Sequence, residues 1–283
     1  MGRFSGKTAV VTGSGRAKGL GEAIARRLAA EGAAVVISDI GAPKDAATPG
    51  SMIGADAEME AIAQSIRAAG GTASTFACDV RDFEQMRALA DHAVAAHGGL
   101  DIWVNNAGIG YIMKPLMEVT PDDWRAVIDV NLTGCFFGIK AAAEKMIAQN
   151  EKEPGRGGRI VNIASQAAKS GFPHAQAYTA SKHGLVGLVR SAAIELGPHK
   201  ITVNNVCPNH VTTGLGAWQN EYFAKVVGAP SVEAYLEAMA ARIPLKRPGL
   251  PEDTAKAVAF LCSPEADYIT AESMNVSGGE EPH

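Results

Sequence analysis

The sequence predicts an α/β fold: a single doubly wound domain of about seven parallel strands with helices on both faces. Short β-branched runs alternate with longer stretches of helical periodicity, the pattern of successive βα units. The length of 283 residues falls within what one such unit fills. A hydrophobic fraction of 47% against 20% charged residues provides enough apolar surface for a sizeable core. The expected strands are Thr8–Thr12, Ala34–Ser38, Ser74–Cys78, Asp101–Val104, Arg159–Ile163, Ile201–Val206 and Met274–Val276. Between the first two, Ile24, Leu28 and several alanines give an apolar helical face, and Gly32 is placed to end that helix in a left-handed conformation.

Composition narrows the partners. A net charge of −4 without a basic stripe gives no footprint for nucleic acid or an anionic membrane surface. No apolar run approaches ~18 residues, so no membrane span is expected. Cys78, Cys135, Cys207 and Cys262 are scattered without a CxxC pair, which reads as buried thiols in a reducing, cytoplasmic setting. The chain runs directly from Phe4 and Gly6 into its first strand, so no leader peptide is expected.

Two stretches break the βα cadence. Residues 41–55, rich in Gly, Ala and Pro, form an unusually long connection, read as a surface loop with a cofactor-covering role as the alternative. Residues 209–245 follow the sixth strand, where ligands of open α/β sheets bind, and carry Trp218, Tyr222 and Phe223. They are read as a lid or substrate-selecting loop.

Thr12-Gly13-Ser14-Gly15-Arg16-Ala17-Lys18-Gly19-Leu20-Gly21 links the first strand to the first helix. Glycines there let the backbone approach a pyrophosphate, and the helix N-terminus offers free N–H groups and a positive dipole end. The segment does not fit a GxxxxGK[ST] loop, because no Ser or Thr follows Lys18. Asp39 ends the second strand, where a carboxylate accepts hydrogen bonds from an adenosine ribose and repels a 2′-phosphate. Ile40 beside it brings no compensating positive charge, so NAD(H) is expected over NADP(H), although Arg16 and Lys18 pull the other way.

Tyr178-Thr179-Ala180-Ser181-Lys182 opens an apolar-periodic helix, and its spacing puts phenol and ammonium on one face. A phenol is a weak base at neutral pH, and a neighbouring ammonium stabilises its phenolate. Ser165 ends the fifth strand at the same rim of the sheet, positioned to hydrogen-bond a substrate oxygen.

With these motifs the sequence resembles the short-chain dehydrogenase/reductase family over nearly its whole length. The glycine loop Gly13 to Gly21, Asn105-Asn106-Ala107-Gly108, Asn131, Ser165, and Tyr178 with Lys182 recur in the family's order, with Ser165 at the family's usual interval before Tyr178. The resemblance implies a Rossmann domain spanning residues 1–283. It makes Tyr178 the acid/base and Ser165 the substrate-orienting residue. Lys182 holds the nicotinamide ribose and lowers the tyrosine's pKa, and Asn131 maintains a water relay. It assigns cofactor contacts to Gly13, Gly19, Leu20, Gly21, Asp39, Ile40, Asp79, Val80, Asn106, Ala107 and Gly108, and to Tyr178 and Lys182. Pro208, Val211 and Thr213 match the segment that holds the carboxamide. A homotetramer or homodimer through the long helices is also implied. Three departures stand out: five residues separate Gly13 from Gly19, Asn209 replaces a glycine, and Ser277 replaces an aspartate.

The expected reaction is reversible hydride transfer between a secondary alcohol and NAD, with no metal. Gln166, directly after Ser165, is a candidate for binding a second substrate oxygen, with loop support or solvent exposure as the alternative. Ser165-Gln166-Ala167 and Cys207-Pro208 resemble the family's diol, acetoin and polyol dehydrogenases, so a diol, polyol or sugar is the expected small-molecule substrate. His174 is a further substrate candidate, and His210, Tyr111 and Trp218 are candidates for the pocket wall, each with packing or surface as the alternative. A carbonyl reductase running in reverse and a non-catalytic NAD sensor are the rival readings.

Overall fold

The computed structural model describes residues 2–45 and 48–281, with the side chains of residues 214–216 left out. Strands β1 (Thr8–Thr12), β2 (Ala34–Asp39), β3 (Thr72–Ala77), β4 (Ile102–Asn105), β5 (Gly158–Ile163), β6 (Ile201–Pro208) and β7 (Ser273–Val276) form one sheet. Its order is β3-β2-β1-β4-β5-β6-β7, and every pairing is parallel. The α/β fold class read from the sequence is the observed one.

Alternation along the strands builds two cores. Val11, Val35, Ile37, Val104 and Val161 face the layer of α1 (Leu20–Ala30), α2 (Asp56–Ala68) and α9 (Pro251–Cys262). Val10, Val36, Trp103, Ile160 and Val203 face α3 (Phe83–His97), α5 (Gly134–Lys152) and α6 (Gln176–Leu196). A strand covered on both faces reads as a continuous apolar run, as β1 and β2 do. Gly32 has φ +99°, as its expected role after α1 requires.

Strand ends differ from expectation where tertiary partners decide them. Asp101 lies outside β4, because its carboxylate accepts the Thr8 N–H (3.0 Å) and pairs with Arg156 (3.0 Å). β6 runs on to Pro208 because Pro208 stands opposite Val276 of β7.

No membrane-length helix was expected, but α4 (Pro121–Ile128), a π-helical turn (Asp129–Thr133) and α5 run together as Pro121–Lys152. Its mean hydropathy reaches 1.3 over an 18-residue window, and 56% of that window is buried in the protein. Ile139, Ala142 and Met146 belong to the core beneath the sheet, so the apolarity serves packing.

Four strands share a buried amide ladder at one register. Asn105, Asn162, Asn205 and Ser273 are successive cross-strand partners on β4, β5, β6 and β7. Trp103 Nε1 donates to Asn105 Oδ1 (2.7 Å), Asn105 Nδ2 to Asn162 Oδ1 (2.8 Å), and Asn162 Nδ2 to Asn205 Oδ1 (3.1 Å). Asn205 Nδ2 closes the row on Ser273 Oγ (3.0 Å). Each of the three asparagines is buried and bonded on both sides, so removing one strands its neighbours. Asn162→Ala is expected to cost about 2–4 kcal/mol, since each orphaned buried group costs about 1–3 kcal/mol. The check is the urea midpoint, which falls at unchanged m; a midpoint equal to wild type refutes the coupling.

Candidate active site

The carboxyl ends of the strands open onto a cleft of about 570 Å³. It spans the point where the strand order reverses between β1 and β4, the place where open α/β sheets bind ligands. Most of the residues expected to contact a cofactor line it: Gly13, Gly19, Leu20, Asp39 and Ile40 along β1 and β2, then Asp79, Val80, Asn106, Ala107 and Gly108. At the other end are Ser165, Gln166, Tyr178, Lys182, Pro208, Val211 and Thr213.

The glycine loop is shaped by close approach. Gly13 has φ +62°, and a Cβ there would stand 2.6 Å from Ala107 Cα. Gly21 lies under the loop, where a Cβ would meet Gly13 O at 2.4 Å. Thr12 Oγ1 accepts the N–H groups of Asn106 and Ala107 (both 3.1 Å), and Asn106 Nδ2 donates to Thr12 O (2.9 Å) and Gly13 O (2.8 Å). Of the five residues between Gly13 and Gly19, Arg16 lines the cleft, and several bond elsewhere. Ser14 N–H donates to Ser38 O, Ala17 N–H to Glu58 Oε1 (2.7 Å), and Arg16 Nη1 to Met52 O (3.2 Å). The first turn of α1 has no side-chain cap, and Gly19 and Leu20 at its start line the cleft.

Asp39 closes this end. Its carboxylate accepts from Gly15 N (3.1 Å) and Ile40 N (2.9 Å). Burial raises its pKa above the usual carboxylate range, while the N–H bonds from Ile40, Gly54 and Gly15 and the nearby Arg16 charge pull the other way. Gly15 and Gly54 are needed for that fit: a Cβ on Gly15 would lie 2.7 Å from Asp39 Cβ, and one on Gly54 2.8 Å from Asp39 Cγ.

Described residues of the 41–55 connection reach the cleft. Gly41 and Ala55 bridge at its base, and Thr48, Met52 and Ile53 line the cavity. Arg81, which sequence reasoning passed over, fastens it: its guanidinium grips Asp79 (2.7 Å) and reaches Asp45 (2.6 Å). These bonds raise the Arg81 pKa.

At the other end, Tyr178 and Lys182 share one face of α6. Lys182 is 4% exposed, its Nζ donates to Ile163 O (2.8 Å) and it stands 5.6 Å from the Tyr178 ring centroid. Ser165 caps a short 3₁₀ turn, accepting the Ala167 N–H at 3.1 Å. Asn131, wholly buried, sits in the π turn, a local widening common at functional sites. Its amide exchanges two bonds with the Ile109 backbone (2.8 and 2.9 Å) and donates to Ser181 Oγ (3.3 Å), which in turn donates to Tyr178 O (2.7 Å). A Cβ on Gly108 would lie 3.3 Å from Asn131 Oδ1 and 3.8 Å from Lys182 Nζ, so this glycine stands where the two side chains converge.

The substrate candidates divide. Gln166 lines the cleft, with its Nε2 donating to Glu281 Oε2 (2.9 Å). His174, at φ +67°, does not line it; its Nδ1 pairs with the Tyr222 hydroxyl (2.9 Å) of α7 (Gly214–Val226). Trp218 stacks on Tyr222 (5.3 Å between centroids). Tyr111 and His210 do line the cleft, where burial pushes the Tyr111 phenol up to about 12 and holds His210 below the usual imidazole value. Asn209, in place of the usual glycine, bonds Glu280 through Nδ2. Ser277 Oγ accepts from Gly279 N (3.3 Å), and Glu280 just beyond lines the cleft. Glycines that a Cβ would clash with, an uncapped helix start and a carboxylate at the end of β2 together fit a dinucleotide.

The comparisons agree with this geometry. The family model described as Enoyl-(Acyl carrier protein) reductase matches residues 13–281. L-2,3-butanediol dehydrogenase of Corynebacterium glutamicum is 38% identical over 96% of this chain and 98% of its own. Carveol dehydrogenase from Mycobacterium avium, solved with NAD, superposes with TM-score 0.89 at 33% identity over 99% of both chains. An actinorhodin polyketide ketoreductase solved with NADPH superposes with TM-score 0.85 at 35% identity, again over 99% of both. The chain is thus similar to diol and other alcohol dehydrogenases, and with its motifs in order around one cleft it belongs to the short-chain dehydrogenase/reductase family.

Proposed function

We propose that this oxidoreductase is an NAD-dependent dehydrogenase that oxidises a secondary alcohol to a ketone, with Tyr178 accepting the hydroxyl proton. The observation that carries it is the meeting of Tyr178, Lys182 and Ser165 in one cleft with the glycine loop and Asp39. Lys182 lies on the same helical face as Tyr178, its Nζ 5.6 Å from the tyrosine ring centroid. Ser165 orients the substrate oxygen, and Asn131 holds the Ile109 backbone and the first turn of α6 in register. The bound dinucleotide supplies the hydride acceptor. Gly13, Gly19, Leu20, Gly21, Asn106, Ala107 and Gly108 hold its phosphates and inner face; Asp39, Ile40, Asp79 and Val80 hold its adenosine. Pro208, Val211 and Thr213 hold its carboxamide. In reverse the same residues reduce a ketone.

NAD is preferred because Asp39 meets the adenosine ribose, although Arg16 lies close enough to perturb that carboxylate. The comparison proteins include both NAD and NADPH complexes. Residues 209–245, with α7 and α8 (Val232–Arg242), cover the substrate end of this single catalytic domain. A homodimer or homotetramer through α5 and α6 is supported by exposed Phe136 and Ile194, at 45% and 78%. Four buried free thiols support a cytoplasmic location.

Tyr178→Phe is expected to lower kcat/KM by about 10²–10⁴-fold while leaving the NAD dissociation constant nearly unchanged. Steady-state NADH absorbance and a cofactor titration check this, and full turnover in the variant removes Tyr178 from the role. Cofactor choice should depend on pH. Burial raises the Asp39 pKa, so its charge, and the repulsion of a 2′-phosphate, fades as pH falls, beginning above the range of an exposed aspartate. The ratio of NADP to NAD dissociation constants therefore shrinks as pH falls in wild type and stays small and flat in Asp39→Asn. A wild-type ratio near one at high pH refutes the preference.

A further inference from the structure

Beyond Tyr178 the cleft has an apolar wall. The Phe172 ring lies 6.4 Å from the Tyr178 ring and meets Phe223 of α7 edge-on at 5.6 Å. Val226, Val227 and Met239 continue the lining, and Phe172, Val226 and Val227 are 38%, 43% and 63% exposed, so the mouth itself is rimmed by apolar side chains. The wall is anchored before any ligand arrives. Tyr222 packs edge-on against Phe223 (5.2 Å), its hydroxyl meets His174 Nδ1, and Gln219 Nε2 donates to Gly110 O (2.9 Å), tying α7 to the body of the protein.

Several polar groups on this side are already engaged with one another. Gln166 Nε2 and Ser170 Oγ (3.2 Å) both donate to Glu281 Oε2, and Asn209 Nδ2 donates to Glu280. Arg242 Nε faces Glu280 Oε1 at 3.5 Å. An open-chain polyol would bring several hydroxyls that lose water here while these donors stay committed, and buried polar groups left unpaired are costly. A rigid saturated ring instead exchanges water for aromatic and aliphatic surface and loses little rotational freedom.

Resting on the dehydrogenase reading above, we propose that the substrate is a bulky, mostly apolar secondary alcohol whose carbinol belongs to a saturated ring system, selected by the Phe172–Phe223 wall. The test compares NADH formation from 2-decalinol, a fused bicyclic alcohol, with that from sorbitol, in wild type, Phe223→Ser and Phe223→Leu. The expected kcat/KM for 2-decalinol exceeds that for sorbitol by at least about tenfold. Phe223→Ser should reduce it by about tenfold, mainly through KM, while Phe223→Leu keeps most of it. As a second readout, 2-decalone added to the NAD-bound wild-type enzyme should perturb the fluorescence of Trp218, which stacks on Tyr222 beside Phe223. Sorbitol turned over as well as or better than 2-decalinol overturns the inference and leaves the dehydrogenase standing. A decalone titration with no fluorescence change also overturns it. Absence of NADH formation from either alcohol, and from a wider set of secondary alcohols, overturns the dehydrogenase reading itself and the inference with it.

Discussion

The amide of Asn106, just past β4, donates to the carbonyl oxygens of Thr12 and Gly13, just past β1, and Thr12 Oγ1 accepts the N–H groups of Asn106 and Ala107 in return. These bonds lock together the two loops that diverge where the sheet changes direction. The glycine loop lies flat on that tie: any side chain at Gly13 or Gly21 would strike backbone within 3 Å. The loop is therefore held in place by the fold itself, with few soft dihedrals left to order.

Buried polarity positions the chemical end in the same manner. The amide ladder holds β4 to β7 in one register, which fixes where Ile163 ends β5 and so where its carbonyl meets Lys182. The π turn rotates Asn131 inward, where it pins Ile109 and reaches α6 through Ser181. A regular α-helix through residues 129–133 would present different side chains to the interior. Tyr178 and Lys182 thus take their places from groups that touch no substrate.

Three segments close over this frame, each by a few specific contacts. Arg81 clamps the 41–55 connection by joining Asp45 to Asp79. The α7 wall is held by Tyr222 and Gln219. The chain end folds back so that Glu280 and Glu281 occupy Asn209, Gln166 and Ser170. The last of these changes the meaning of Gln166: adjacent to Ser165 in sequence it reads as a substrate ligand, but its amide donor is spent on a carboxylate 115 residues away.

The sequence by itself determined the sheet, the two helical layers and the places of Gly13, Ser165, Tyr178 and Lys182, through alternation of period two, helical spacing of four, and glycine where backbone must pass close to backbone. Asn106 and Asn131 were legible only through the family resemblance of the motifs around them. It left Asn162, Asn205, Ser181 and Arg81 unremarked, because an asparagine in a strand or an arginine after it signals nothing until its cross-strand or cross-loop partner is known. His174 misled for the same reason, since a positive φ that turns its ring to Tyr222 leaves no trace in composition. Only the tertiary structure decided which polar groups face the cleft and which satisfy each other. That choice depends on contacts between residues far apart in the chain, and a buried donor takes whichever acceptor the fold brings within hydrogen-bond reach.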